Sequence, residues 1–356
     1  MFNPHQTISE VLDTALENKR LKDIIVRRFG LADGERKTLE EIGQEYGITR
    51  ERVRQIEENG LELLSQPKII SHLKPSFEFI SEHLTEYGDL KREKKLLDDL
   101  TYICFPISDL KQQPKNLPED FGRCQAALYL ILVLGKPFIR EKESEEFHPL
   151  WTINKKSIGL AKRIVDFLIR YFQKVSQTLE FKELLNQSQK MEKTLTEKAL
   201  FSYIDACRKI DVNRFDRYGL INWSEISPRG VKDKAYLILK KHGQPLHFTH
   251  ITELINQNNL DEKPAFVQTV HNELIKDSRF VLVGRGTYGL VEWGYEPGTV
   301  AEIISRLLNQ HKALFKEEIL KHVLEKRMVK ENTVLINLQN RKYFIRREDG
   351  KYQLVN

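Results

Sequence analysis

TLEEIGQEYGITRERVRQIEENGLELL, residues 38–64, opens with a threonine followed three places later by a glutamate, the arrangement of a helix capping box. Thr38 can accept from the free amides of a first turn while Glu41 reaches back to the Thr38 amide, so a helix starts at Leu39. Tyr46-Gly47 ends it, because glycine takes the positive φ of a sharp turn at no steric cost. Thr49 then caps a second helix that runs to about Leu64, short of Pro67. Leu39, Ile42 and Tyr46 face inward from the first helix and Val53, Ile56, Leu63 and Leu64 from the second, with Gly43 permitting close approach. Two amphipathic helices joined by a tight turn make a helix-turn-helix.

Such a motif lays its second helix in the major groove, first turns nearest the bases. Here those turns read Thr49-Arg50-Glu51-Arg52-Val53-Arg54-Gln55. With Val53 and Ile56 inward, Arg50, Glu51, Arg54 and Gln55 share the outward side and are the expected base readers. Arginine donates twice to guanine, glutamine pairs with adenine, and glutamate accepts from cytosine. Arg52 lies laterally and suits phosphate, as do Thr38 at the amino end of the supporting helix and Arg28 upstream. The competing reading is a solvated charged face with internal Arg–Glu pairs, which leaves the two glycines, the capping box and the apolar spacing unexplained.

Arg28-Phe29-Gly30 followed by this stretch closely resembles region 4 of the sigma-70 family of bacterial transcription initiation factors, over about residues 8–66. In that family the region reads the promoter −35 element and holds the flap of the RNA polymerase β subunit. The resemblance implies base reading by Arg50, Glu51 and Gln55, and places Thr38, Arg28 and Arg54 at backbone-contacting positions. The chain has no counterpart of the aromatic-rich regions that melt the −10 element, so a complete sigma factor is not expected. It also departs after Ile56, where Asn59, Gly60 and Glu62 replace a basic continuation.

At 356 residues the chain is long enough for roughly two to four domains. A net charge of +6 and pI near 8.9 fit a polyanionic partner but are spread over 41.9 kDa, so charge placement carries the argument. Cys104, Cys124 and Cys207 are far apart in sequence with no CxxC pair, which suggests neither a zinc site nor a disulfide framework and fits a reducing cytoplasm. The N-terminus lacks the pattern of a secretory signal, and no segment is long enough to span a bilayer; Ala126–Leu134 reads as a buried core helix.

Beyond Pro67 a pattern of three helices and a hairpin recurs, the order of a winged helix. Its clearest copy offers helices at Val231–Lys241, His247–Asn256 and Lys263–Lys276, then strands Arg279–Val283 and Tyr288–Trp293 about a Gly284-Arg285-Gly286 tip. A second offers Ile158–Val175, Phe181–Asn186, a helix capped by Thr194 with Glu197, and a hairpin ending at Trp223. A third offers Val300–Asn309, Lys316–Lys326, Lys330–Gln339 and a hairpin from Tyr343 to Val355 turning at Asp349-Gly350. A degenerate fourth copy has helices near Pro75–Glu86, Leu90–Leu100 and Gly122–Leu134 with strands around Phe138 and Trp151, interrupted by an exposed loop over 106–120.

The expected fold is therefore mainly α: a helix-turn-helix over 1–67, then units at 68–153, 154–226, 227–295 and 296–356, the last four as tandem winged-helix modules. Residues 228–294 resemble the HARE-HTH domain, a winged helix found in the delta subunit of some bacterial RNA polymerases, in restriction enzymes and in eukaryotic chromatin proteins.

His247 and His250 lack a third nearby ligand and read as core or capping residues, with no metal or cofactor expected. Arg285, at a hairpin tip, suits a DNA backbone or minor groove as well as it suits a plain turn. Arg341, Lys342, Arg346, Arg347 and Lys351 form the densest basic cluster and are a candidate second nucleic-acid contact, the alternative being a charge-guarded edge strand. Trp223 and Trp293 read as core residues closing their wings. No catalytic motif is recognisable, so enzymatic activity is not expected. The functions in view are a transcription regulator that binds double-stranded DNA, an RNA polymerase accessory factor that docks on the β-flap, and the recognition module of a restriction or modification system.

Overall fold

A computed structural model of the chain describes residues 3–104, 119–260 and 263–355. The chain divides into two compact units, Met1–Asp211 and Val212–Asn356.

The first unit begins with α1 (Pro4–Ala15), α2 (Lys19–Phe29), α3 (Leu39–Tyr46), α4 (Arg50–Leu64) and α5 (Pro67–Glu86). Then come β1 (Leu90–Arg92), α6 (Glu93–Cys104), α7 (Glu119–Leu134), β2 (Ile139–Glu141) and β3 (Leu150–Thr152). α8 (Lys155–Val175), β4 (Leu179–Glu180), α9 (Phe181–Gln189), α10 (Glu197–Ala206) and β5 (Ile210–Val212) complete its sequence. The second unit contains β6 (Arg217–Leu220), α11 (Gly230–His242), β7 (Leu246–His247), α12 (Phe248–Gln257), α13 (Val267–Lys276), β8 (Phe280–Gly284) and β9 (Thr287–Leu290). It ends with α14 (Val300–His311), α15 (Lys316–Lys326), α16 (Glu331–Leu338), β10 (Phe344–Arg346) and β11 (Tyr352–Leu354).

After the helix-turn-helix, the order helix, strand, helix, helix, strand, strand repeats, with a lone bridge standing for the first strand in the final copy. In two copies the first strand pairs with the last, giving sheets ordered β1-β3-β2 and β7-β9-β8. In the last copy Leu314 bridges to Tyr352, beside the antiparallel pair of β10 and β11. The mainly helical helix-turn-helix and winged-helix architecture expected from the sequence is present.

Several elements differ from their sequence-based expectation. α5 starts at Pro67 and runs through Pro75, although an internal proline removes a helix hydrogen bond. Burial of Ile69 and Leu73 on its amino half offsets that loss. Leu90–Arg92, expected to open a helix, is a strand paired with Leu150–Thr152, a partner some sixty residues distant that local periodicity does not reveal. α10 is capped by Thr196, whose hydroxyl accepts from the Ala199 amide at 3.2 Å; Thr194 instead bonds Glu192. α13 begins at Val267, and β9 ends at Leu290 before a 3-10 turn that carries Trp293. The loop expected over 106–120 lies outside the described residues as far as 118, and α7 begins at Glu119.

α7 is the centre of the first unit. Ala126–Leu132 is almost wholly apolar and buried, and it shares one core with Ile8, Val11 and Leu12 of α1, Ile25 of α2 and Ile80 of α5. Gly34 and Gly122 meet backbone to backbone, since a Cβ on Gly34 would lie 2.8 Å from the Gly122 Cα. Arg36 stacks on Tyr129 with its guanidinium carbon 3.4 Å from the ring centroid. No helix among the described residues is long and apolar enough to cross a membrane. The three cysteines are buried free thiols, and the fold brings Cys104 and Cys124 into hydrogen-bonding contact despite their separation in sequence.

In the second unit, Arg279 binds Asp233 at 2.8 Å and Asp277 at 2.7 Å, tying α11 to the start of β8. The Met328 amide donates to the Val283 carbonyl at 3.0 Å, so the α15–α16 connection covers part of the β8 edge.

Candidate nucleic-acid interface

The reading head is aimed by a small core of its own. Ile24, Ile42 and Val53 are fully buried, and Leu39, Tyr46, Ile48 and Ile56 pack around them. Thr38 and Glu41 form the capping box reciprocally, the Thr38 amide donating to Glu41 at 2.6 Å and the Glu41 amide to the Thr38 hydroxyl at 3.2 Å. Gly47 has φ 64°, and the Ile48 amide donates to the Gly43 carbonyl at 2.9 Å. A Cβ on Gly43 would stand 2.8 Å from the Ile48 carbonyl oxygen, so glycine sets how closely the turn folds back. Gly60 allows a similar approach, because a Cβ there would meet Ile25 Cδ1 at 2.8 Å.

Thr49 caps α4 by accepting from the Arg52 amide at 3.2 Å. Arg50, Glu51, Arg52, Arg54 and Gln55 are all exposed on the first turns beyond it. Arg54 grips Glu51 bidentately, Nη2 to Oε1 at 2.7 Å and Nε to Oε2 at 2.9 Å, and also bonds Glu58. That hydrogen bonding holds the Glu51 carboxyl below its ordinary range. Arg52 donates to Gln55 Oε1 at 3.0 Å. Arg50 makes no hydrogen bond or ion pair among the described residues.

Internal Arg–Glu pairs are therefore present on this face. Exposed pairs of this kind are worth only about 0–1 kcal/mol, so a phosphate or base edge can displace them. Charge is also sorted along the helix. Arg50, Arg52 and Arg54 crowd the amino end, where the helix dipole is positive, while Glu57, Glu58 and Glu62 lie further along. The amino end is thus the part suited to a polyanion.

The flanking residues have distinct surroundings. The Thr38 hydroxyl, occupied as an acceptor, keeps its proton for donation. Arg28 is half-buried and committed to Glu57 at 3.0 Å and to the Lys37 carbonyl at 3.0 Å, bracing α2 against α4. Sequence reasoning missed the polar brace between α2 and α3, in which Tyr46 donates its hydroxyl proton to Asp23 and lies under Arg20. Only the spacing of Tyr46 signalled it, and that spacing reads equally as apolar packing.

In the second unit, Arg285 is exposed at the β8–β9 tip beside Gly286, whose φ is 65°. Arg341, Lys342, Arg346 and Arg347 are exposed on or beside the last hairpin. His247 is the N-cap of α12, accepting from the Thr249 amide at 3.4 Å, and His250 pairs with Glu253 at 3.2 Å. Trp293 is half-buried against the core of α11–α13. No group of three or more His, Cys, Asp or Glu among the described residues is arranged to hold a metal ion.

Comparison with known proteins places two of these parts. The family model "Sigma-70, region 4" matches residues 18–66, and the HARE-HTH model, described as an ASXL and restriction endonuclease HTH domain, matches residues 229–293. Both are helix-turn-helix domains of DNA-binding type. Among curated proteins, the RNA polymerase sigma factor SigA of a Bacillus species is 44% identical over 73 residues, covering 20% of this chain and 19% of that protein. SigA of Listeria monocytogenes is 42% identical over 73 residues, with the same coverage of 20% and 19%. SigA of Microcystis aeruginosa is 48% identical over 69 residues, 19% of this chain and 16% of the relative. The chain thus spans about a fifth of the length of the sigma factors it matches. It carries a sigma-70 region 4 head and a HARE-HTH winged helix within a DNA-binding, mainly helical architecture.

Proposed function

We propose that this protein is a cytoplasmic transcription regulator that reads a −35-like DNA sequence through α4 without being a complete sigma factor. The observation that carries this reading is the amino end of α4. Three arginines gather at a capped, dipole-positive terminus, with Arg50 unengaged and the others held by pairs weak enough to exchange for DNA. Arg50, Glu51, Arg54 and Gln55 read base edges, while Arg52, Thr38 and Arg28 fix the duplex in register.

The rival reading, docking of the head on the polymerase β-flap, calls for an apolar surface to receive a partner. From residue 3 to residue 66 no large hydrophobic side chain is exposed, and the apolar faces of α1 and α2 are covered within the first unit. That favours DNA as the partner of the head. A role as the recognition module of a restriction or modification system shares the same DNA-reading face, and neighbouring genes for a nuclease or methyltransferase would favour it.

Selection of bound duplexes from a random pool, followed by titration on the selected site, tests the proposal. Enrichment of one motif, with affinity falling as salt rises, is expected. No binding at low ionic strength would overturn it. Capture of the β-flap by the full chain, with DNA affinity unchanged in Arg50→Ala, would transfer the head to the rival function.

A further inference from the structure

The hairpin that ends the chain carries Arg341, Lys342, Arg346, Arg347 and Lys351 within eleven residues, against only Glu348 and Asp349 at its turn. Elsewhere in the protein, exposed cations are commonly paired with carboxylates, as Arg27 is with Asp23 and Glu45 and Lys198 is with Glu86. None of the five cations of this hairpin makes an ion pair among the described residues. Their contacts are neutral: Arg346 donates to the Gly350 carbonyl at 3.4 Å, Lys342 lies over Tyr343, and Lys351 lies over Phe315 at 5.0 Å. Tyr343 and Ile345 are exposed among them, at 45% and 50%.

The third helix of the same module is unsuited to a nucleic acid. α16 reads Glu331-Asn-Thr-Val-Leu-Ile-Asn-Leu338, without a lysine or arginine, and presents Glu331 and Ile336 to solvent. Groove reading by a third helix, the usual use of this architecture, lacks the charge to neutralise phosphates there.

We infer that the β10–β11 wing is a second DNA-binding site, which holds the phosphate backbone of duplex DNA without reading sequence. Its cations are uncompensated, so binding releases counterions from DNA without first breaking protein ion pairs. A duplex is the occupant because the head on the same chain is proposed to read a duplex, and tethering raises the local concentration of that ligand for the wing. In this respect the inference rests on the proposed function. It differs in assigning non-specific affinity to residues 341–351 and selectivity to α4.

The test measures anisotropy of the full chain on its selected site and on a scrambled duplex, across a series of salt concentrations. The variant Arg341→Gln/Lys342→Gln/Arg346→Gln/Arg347→Gln alters exposed side chains only, and its thermal melt serves as the folding control. On scrambled duplex it is expected to bind about tenfold or more weakly at low salt, with the log–log slope reduced by about 0.9 for each phosphate that the wing no longer neutralises. The ratio of selected to scrambled affinity should stay unchanged. An unchanged slope and affinity in a folded variant would overturn the inference, as would tighter binding of single-stranded DNA or RNA than of duplex. Failure of the head is read separately, because a wild-type protein that binds both duplexes equally, and loses both in the variant, retains the wing and loses the reader.

Discussion

Arg54 holds Glu51 in a bidentate grip one helical turn back along α4, with Nη2 2.7 Å from Oε1. The two residues expected to read bases are therefore each other's partners before DNA arrives. Glu51 tempers the positive end of the helix and makes Arg54 available only where a base edge or phosphate competes for it. Replacing it by Glu51→Gln should raise affinity for scrambled duplex at low salt, steepen the salt dependence by up to about one unit, and lower discrimination between sites. Anisotropy titrations at several salt concentrations measure all three. Unchanged discrimination would remove Glu51 from the reading set.

Arg50 and Arg52 stand two residues apart with different neighbours, and their roles separate in the same assay. Arg50, unengaged at the amino end, should cost about 1–3 kcal/mol on the selected site when replaced by alanine, with selectivity relaxed at one position. Arg52→Ala should weaken all duplexes alike and reduce the salt slope by about one. Equal effects of both substitutions on selected and scrambled duplexes would contradict this division.

The head was legible because its signals are local. The capping box, the turn glycine and the inward Ile42 and Val53 lie within 38–64 and require no knowledge of the remaining chain. Repetition made the winged helices visible, even where the strands are two or three residues long. Long-range relations were not legible. Leu90–Arg92 is a strand only because Leu150–Thr152 pairs with it, and Arg36 is placed by stacking on Tyr129. Thr194 and Thr196 look alike as caps until packing selects Thr196. The basic last hairpin could be counted from composition, whereas its freedom from carboxylates could not.

Gly43→Ala should loosen the aim of α4. The added Cβ would press on the Ile48 carbonyl oxygen at 2.8 Å, and that segment cannot retreat easily because the Ile48 amide is bonded to the Gly43 carbonyl. Overpacking of this kind costs about 1–3 kcal/mol, while alanine in a helix returns up to about 1 kcal/mol, so net destabilisation is expected. Faster amide exchange across residues 39–64, with exchange in α7 unchanged, is the expected signature. Gly47→Asn, at a site with open space and a φ that asparagine tolerates, should leave exchange near wild type.

The joint between α5, β1 and α6 should make the first unit sensitive to acid. Lys91 is 1% exposed, with Nζ 2.6 Å from Asp99 Oδ2, 3.0 Å from His83 Nε2 and 3.1 Å from the Tyr87 ring centroid. His83 can accept from the ammonium only while neutral. Burial, and then the Lys91 charge, lower its pKa from 6.5 to about 4. Between those two values the unfolded chain binds a proton that the folded chain refuses. Stability from this group is thus complete above pH 6.5 and is lost as pH falls from 6.5 towards 4. With allowance for its partial exposure, the loss should be about 2 kcal/mol. Urea unfolding at pH 7.5 and 4.5, about one unit above and half a unit above those limits, measures it for wild type and for His83→Gln. Carboxylates titrate equally in both proteins, so the variant should lose less stability on acidification by that amount; equal losses would remove His83 from the acid response.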